Sequence, residues 1–441
     1  MTITASTSIG THAVELPDSW VTIKLRFLLE VNPATPAELR AQSDRLIPFI
    51  PMEALGEDGS LDLARERPVG ELLTGYSYFA NDDVLMAKVT PCFENGKAAL
   101  VRALPGGHGF GSTEITTLRA SEGLDPAFLY YLVRSDHFRQ ASIASMTGAG
   151  GLKRVPDEHI RSFETPVPPE LEQKLIAGFL DRETAKIDAL IDKQEQLIAT
   201  LREDRAATIT HAVTKGLKPG VAQAPSGIQW MGDVPAHWEV ARLRHHATMK
   251  TGHTPSRQKP EFWENTHIPW FTLADVWQLR SGRQIYLGET AGKISSIGLA
   301  NSAAELLPAG TVILSRTASV GFSGIMPIPM ATSQDFWNWI CGPRLIPEFL
   351  AFVFRAMKPY FDFLMMGSTH QTIYQADAAA LQVPLPPVDE QNEIVEALKI
   401  RTRAVDSLID KSTEMIETLR EYRSALITNA VTGKIDVREA V

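Results

Sequence analysis

The chain repeats itself at an offset of 218 residues. Pro168-Pro169 returns as Pro386-Pro387, Glu172-Gln173 as Glu390-Gln391, and Leu190-Ile191-Asp192-Lys193 as Leu408-Ile409-Asp410-Lys411. Thr200-Leu201-Arg202-Glu203 returns as Thr418-Leu419-Arg420-Glu421, and Ala212-Val213-Thr214 as Ala430-Val431-Thr432. Pro17 and Trp20 map onto Pro235 and Trp238 at the same offset, so the repeated unit is a globular segment followed by a long helix. Solenoid repeats have periods of roughly 20–50 residues, far shorter than this one. The pattern is a tandem duplication, and two similar domains in one chain imply a target with two similar halves.

Four segments alternate along the 441 residues: globular over 15–166, helical over 167–217, globular over 218–384 and helical over 385–435. In the first globular segment Val84-Leu85-Met86-Ala87 and Ala98-Ala99-Leu100-Val101 are strand-like runs bounded by turn residues. A helix is predicted over Pro126–Gln140, where Phe128, Leu129, Leu132 and Val133 fall at helical spacing. The second globular segment has a matching strand at Val312-Ile313-Leu314 and a matching helix at Pro347–Met357. Both are predicted as mixed α/β domains, giving an α+β chain.

Each globular segment ends in a proline step, Pro166-Val167-Pro168-Pro169 and Pro384-Leu385-Pro386-Pro387. Proline fixes φ at a helical value and lacks the N–H that the first helical turn leaves unpaired anyway. The helices that follow extend to Gly216 and Gly433, which serve as stops. At ~1.5 Å per residue each spans roughly 65 Å. Their apolar residues form one narrow stripe. In the first helix it is Ile176, Phe179/Leu180, Ile187, Leu190/Ile191, Leu197/Ile198, Leu201, Thr208/Ile209 and Ala212. The second carries Ile394, Ala397/Leu398, Val405, Leu408/Ile409, Met415/Ile416, Leu419, Leu426/Ile427 and Ala430. A lone helix of this length cannot bury such a seam, whereas two copies can bury each other. A two-fold relation between the duplicated units makes the pair an antiparallel coiled coil with a globular domain at either end. The alternative is that each helix packs only on its own domain. Glu183, Gln194 and Arg205, with Arg401, Ser412 and Arg423, are polar positions that either fix the register of the seam or lie at its solvent edge.

Charge narrows the function. The net charge of −9 argues against a simple polyanion binder. Only residues 218–384 are positive, with 13 Lys+Arg against 11 Asp+Glu. If the chain binds DNA, phosphate clamping comes from a local basic face or from a partner. Cys92 and Cys341 fit neither a metal knuckle nor a disulfide framework. No apolar run is long enough to span a membrane and Met1–Gly10 has no signal-peptide pattern, so a cytoplasmic location is expected. Asp-Pro-Pro-Tyr and Asn-Pro-Pro-Phe methyl-transfer motifs, a phosphate-binding Gly-x-x-x-x-Gly-Lys-Ser/Thr loop, His-Glu-x-x-His and Gly-x-Ser-x-Gly are all missing. The eleven histidines are scattered, with His245-His246 the one adjacent pair, and no metal site is expected.

The layout resembles the specificity subunit of type I restriction–modification systems, over nearly the whole chain. Ser226-Gly227-Ile228-Gln229-Trp230-Met231-Gly232 followed by Val234-Pro235-Ala236-His237-Trp238 is similar to the start of that family's target recognition domains, and Leu16-Pro17-Asp18-Ser19-Trp20 is a shorter version. The Pro-Pro-x-x-Glu-Gln steps at Pro168 and Pro386 resemble its conserved helical regions. Residues Ala87 to Lys97 and Gly111-Ser112-Thr113-Glu114 resemble one subclass of recognition domain. The resemblance implies a non-catalytic subunit whose two recognition domains each read half of a split, asymmetric double-stranded DNA target. It implies helices that act as a ruler and dock two methyltransferase subunits, and restriction subunits through them. No cofactor is expected in this chain. S-adenosylmethionine would belong to the methyltransferase, and ATP and magnesium to the restriction subunit. A coiled-coil scaffold without sequence-specific DNA binding is the competing reading. It is disfavoured because the globular segments have diverged far more than the helices.

Base reading needs donors and acceptors on loops that can enter a groove. In the first domain the candidates are Lys88, Thr90, Asn95 and Lys97, then Ser112, Thr113, Lys153 and Arg154, the last two after the flexible run Gly148-Ala149-Gly150-Gly151. In the second they are Thr251, His253, Thr254, Ser256 and Arg257, then Arg316, Thr317 and Ser319, which follow a predicted strand at the place of Lys88. Ser368, His370 and Gln371 follow Gly367 as Lys153 follows its glycines. Trp263, Trp270, Trp277, Trp337 and Trp339 are expected in the core rather than stacked on bases.

Overall fold

A computed structural model describes residues 7–9, 12–14, 17–149, 151–365 and 372–437. The chain divides into two compact units, Met1–Lys193 with Met415–Val441, and Gln194–Glu414. The division falls inside both long helices, which run over Glu170–Lys215 and Val388–Val431.

In the first unit, Val84–Ala87 sits inside an antiparallel sheet of order Leu29–Val31, Ile115–Ala120, Val84–Ala87, Ala98–Leu100. A second sheet orders Glu66–Pro68, Leu46–Ile50, His108–Gly111 and Ser77–Ala80, with its middle pair parallel. Val21–Lys24 pairs with Glu164–Val167, which closes the block at the point where the long helix begins. The second unit repeats this plan. Its antiparallel sheet runs Ala247–Thr251, Phe336–Cys341, Val312–Ser315, Ser323–Ile325. Ile268–Phe271 lies parallel to Ala331–Thr332 and antiparallel to Gly292–Ile294. Glu239–Arg242 pairs with Gln382–Leu385 ahead of the second long helix. Both blocks are α+β.

The helix expected over Pro126–Gln140 is two helices, Pro126–Arg134 and Asp136–Ser145. Ser135 is extended (φ −67°, ψ 147°), and its hydroxyl caps the second helix by accepting from Phe138 N. A serine that satisfies an orphan N–H at a helix start breaks the periodic run from which one helix was expected. The corresponding element, Pro347–Ala356, is a single helix as expected.

The duplicated Pro-Pro-x-x-Glu-Gln motif has a structural cause. Gln173 is fully buried; its amide donates to Gly123 O and Pro168 O, both at 2.9 Å, and its oxygen accepts from Asp125 N at 2.7 Å. Gln391 donates to Arg344 O at 2.9 Å and Pro386 O at 2.8 Å, and accepts from Ile346 N at 2.9 Å. Each glutamine therefore ties the start of its long helix to the loop before its domain helix. Buried backbone groups that would otherwise be orphans are satisfied. Gly216 (φ +74°) and Gly433 (φ +72°) lie just past the two long helices, and a Cβ on either would stand 3.2 Å from Trp238 or 3.4 Å from Trp20. Only glycine suits both the left-handed backbone and the packed indole.

Within the first unit Ile176, Leu180 and Ile187 share a core with Leu426, Ile427, Ala430 and Val431. Asp188 meets Arg423 at 3.0 Å, while Ile176, near the helix start, lies with Ile435 and Val437 past the end of the other helix. Within the second unit Ile209, Ala212 and Val213 share a core with Ile394, Val395 and Leu398, and Arg205 meets Asp406 at 3.0 Å. These two ion pairs are equivalent under the 218-residue offset. Arg205 and Arg423 thus lie in ion pairs between helix segments; Glu183 pairs with Lys186 of its own helix at 2.7 Å. The apolar stripe is narrower than its sequence suggests. Ile187, Ile198, Ile409 and Ile416 are buried, but Leu190, Leu197, Leu408 and Met415 are about half exposed.

Candidate nucleic-acid interface

In the first block the chain leaves the strand Val84–Ala87 at Lys88, whose carbonyl accepts from Val155 N and whose N–H donates to Glu114 O, both at 2.9 Å. Val89 pairs with Arg154. This places Lys88 beside an antiparallel two-stranded ribbon, Thr147–Ala149 with Leu152–Arg154, all six residues of which are exposed. Thr90 secures the ribbon: its hydroxyl donates to Gly151 O at 2.9 Å and accepts from Lys153 N at 3.0 Å. Gly148 is required there, because a Cβ would lie 2.3 Å from Leu152 O. The two strands of a ribbon lie ~5 Å apart, and such a pair fits the major groove of B-DNA.

Lys88, Thr90, Lys153 and Arg154 are thus brought together. Lys88 and Lys153 form no side-chain hydrogen bond or ion pair with a described residue, whereas Arg154 pairs with Glu114 at 3.3 Å. Ser112 and exposed Thr113 lie in the turn that leads to Glu114, and Ser112 N donates to Ile50 O. Asn95 and Lys97 do not join this group through their side chains. The Asn95 amide donates to Glu57 at 2.9 Å and the Lys97 ammonium to Met52 O at 3.3 Å, so both hold the 91–97 turn to its own domain.

The second block has a comparable junction. Arg316 follows the strand Val312–Ser315, its carbonyl accepts from Ile373 N at 2.9 Å, and Thr317 pairs with Thr372. Ser319 N bonds Thr317 O in the same turn. The Arg316 guanidinium lies 4.3 Å from the centre of the Trp337 ring, so a π face rather than a carboxylate orients the cation. Ser368, His370 and Gln371 lie outside the described residues. Thr251 ends the strand Ala247–Thr251 and is exposed. Gly252 comes so close to Ser333 O and Thr332 O that a Cβ would stand 2.2 Å from each. His253 N donates to Thr332 O at 3.0 Å, Thr254 donates to Gln334 at 2.7 Å, and Ser256 O accepts from Trp263 Nε1. Arg257 stacks 4.8 Å from the Trp263 ring centre.

Trp270, Trp337 and Trp339 are buried as expected and Trp263 is partly buried. Trp277 is not a core residue: it is 66% exposed, because the short 3₁₀ helix Leu273–Leu279 turns Val276 and Leu279 inward and leaves Trp277 on its outer side. Sequence reasoning also missed the ribbon, because Gly148 to Gly151 signals flexibility as readily as a turn. Among the described residues no three His, Cys, Asp or Glu side chains converge as a metal site, and no helix is long and apolar enough to cross a membrane.

Two α+β blocks with like antiparallel sheets, each running into a long helix and exposing its own polar junction, define the class of fold. The model of the type I restriction modification DNA specificity domain matches residues 73–199 and 235–418, and the chain belongs to this family. It is 34% identical over 197 residues to the specificity subunits of the type I restriction enzymes EcoEI and EcoAI of Escherichia coli. Those matches cover 42% of this chain and span about a third of the length of either relative (32% and 33%). The MjaVIII specificity subunit of Methanocaldococcus jannaschii is 22% identical over 338 residues, 74% of each chain. The fold is shared with the HsdS subunit of Thermoanaerobacter tengcongensis, at a TM-score of 0.57 and 18% identity over 96% of this chain and 99% of that one. It is also shared with a chain solved in work on assembly and conformational transition of the type I R-M system, at a TM-score of 0.77 and 19% identity over 96% and 100%.

Proposed function

We propose that the chain is the non-catalytic subunit that gives a type I restriction–modification complex its sequence specificity, reading a split, asymmetric DNA target. Each recognition block reads one half. The two long helices pair as an antiparallel coiled coil about a pseudo-two-fold axis, and their length fixes the distance between the halves. The same frame docks two methyltransferase subunits, and restriction subunits through them, in the cytoplasm. S-adenosylmethionine, ATP and magnesium are then the partners' cofactors.

One observation carries this reading: the two blocks share the strand order of their four-stranded antiparallel sheet and the glutamine tie, yet expose different side chains at equivalent junctions. A common frame with unlike contact surfaces suits two unlike half-sites. In the first block Lys88 and Lys153 are cations without a carboxylate partner among the described residues, available to phosphate, and the exposed ribbon offers base contacts. In the second, Arg316 and Arg257 are oriented by indoles.

The test is the binding profile of the assembled methyltransferase complex over a randomised DNA library. A bipartite motif with one spacing is expected. Lys153→Ala lowers affinity for all sequences alike, and a base-reading residue relaxes one position. Insertion of whole helix turns in both long helices changes the spacing and leaves both half-sequences intact. A contiguous motif, or none, overturns the reading.

A further inference from the structure

In the second unit, two arginines pair with two aspartates of the second long helix, and a third arginine holds the same loop. Arg205, on the first long helix, pairs with Asp406 at 3.0 Å and donates to Gly282 O at 2.7 Å. Arg283, in the loop after the 3₁₀ helix Leu273–Leu279, donates to both oxygens of Asp410 at 2.7 and 2.9 Å and to Asp406 O at 3.3 Å. Arg355, at the end of the helix Pro347–Ala356, donates to Gln284 O at 2.7 Å. Residues 282–284 are thus held at three consecutive positions. Gly282 (φ +66°) leaves room for the Arg205 guanidinium, which would stand 3.3 Å from a Cβ there.

The first unit has half of this arrangement. Arg134, at the end of the equivalent domain helix, donates to Glu57 O at 2.7 Å and Asp58 O at 3.2 Å. Arg423, the repeat partner of Arg205, meets Asp188 and no loop carbonyl among the described residues. Glu57 turns instead to Asn95, and no described side chain of residues 56–60 forms a hydrogen bond or ion pair with a long helix. Among the described residues the charged strap is found in the second block alone.

We propose that Arg283 is a positioning residue that straps the second recognition block to the long helices at a fixed pitch, and so sets how strictly the spacing of the target is read. This rests on the split-target reading above. An exposed single ion pair is a weak tether. Here one loop is held by a guanidinium nitrogen shared between both oxygens of Asp410, by a further bond to Asp406 O and by two further arginines, and a network of this kind resists displacement as a unit.

The experiment uses the assembled methyltransferase complex with the wild-type chain, with Arg283→Ala, and with the exchanged pair Arg283→Asp/Asp410→Arg. Affinity is measured for the native target, for targets lengthened or shortened by one base pair in the spacer, and for targets altered in either half. Amide exchange of residues 279–287 is followed in the same samples. In Arg283→Ala the preference for the native spacer falls about fivefold, the span of a modest charge-pair energy. Preference for both half-sequences is retained, and exchange of 279–287 quickens. The exchanged pair restores both readouts. Unchanged spacer preference in Arg283→Ala overturns the proposal, as does an equal loss of half-sequence preference, which would mark a role in folding only. A wild-type complex that reads no split target overturns this proposal and the preceding reading together. It is distinguishable from failure of the strap alone, in which the wild type discriminates spacing and the variant does so equally well.

Discussion

The two units are built on one frame and differ in what they bury and what they expose. Asp83 and Arg119 form a two-pronged ion pair in the first unit, at 2.8 and 2.6 Å, with Asp83 almost fully buried. The strand registers put Thr311 and Ile340 at the same places in the second unit, where Thr311 is buried and donates to Pro308 O. The same sheet therefore tolerates a charge pair or a neutral pair. Half of one is costly, because a buried carboxylate without its counter-charge is poorly compensated. In the glutamine tie the units do not differ at all, and there the backbone makes identical demands at both sites.

Three sets of substitutions sharpen this comparison, taken from the largest expected effect. Arg119→Ile leaves the buried Asp83 without its counter-charge, with only Ala80 N donating to it, and costs about 3 kcal/mol in urea unfolding of the first unit, whereas Asp83→Thr with Arg119→Ile, copying the second unit, returns most of that loss. Equal losses in the single and double variants would break the equivalence of the two sheets. Gln173→Leu and Gln391→Leu each strand buried backbone groups and each cost about 2 kcal/mol. Calorimetry that shows a large effect at one site and none at the other would mean that the duplicated motif has kept its role in one copy only. Arg205→Ala exceeds Arg423→Ala by about 1 kcal/mol, since Arg205 also holds Gly282 O. A reversed order would show that the loop contact contributes nothing. Arg355 adds a pH signature to the same cluster. Burial, and then the neighbouring Arg205 charge, push its guanidinium down to about 10. A folded-state value below the unfolded one means that the native cluster loses its proton more readily. This contribution therefore disfavours the fold at neutral pH and fades above pH 10, which an alkaline unfolding series of wild type against Arg355→Met detects.

Much of the frame was legible in the chain. The proline steps mark where the long helices begin, and Gly216 and Gly433 mark where they stop. Strands at Val84–Ala87 and Val312–Ser315 followed from short apolar runs. The candidate interface was legible only in part. Lys88, Thr90, Lys153 and Arg154 were singled out as loop residues and come together. Asn95 and Lys97 carry the same chemistry, but their side chains are taken up by Glu57 and Met52 O. Nothing in a Lys or Asn codon distinguishes a solvent-facing donor from one that staples a turn.

What the sequence determined by itself is the periodic information: duplication, helix stripes, caps and stops. These depend on residues close to one another along the chain or on identity between its halves. Tertiary structure alone decided which member of an apolar pair is buried, Ile198 and Ile409 rather than Leu197 and Leu408, and which arginine meets which aspartate. Those outcomes depend on groups up to 235 positions apart, as Asp188 and Arg423 are. Pairing at that distance is fixed by the summed packing of the fold, not by any local preference of the residues that meet.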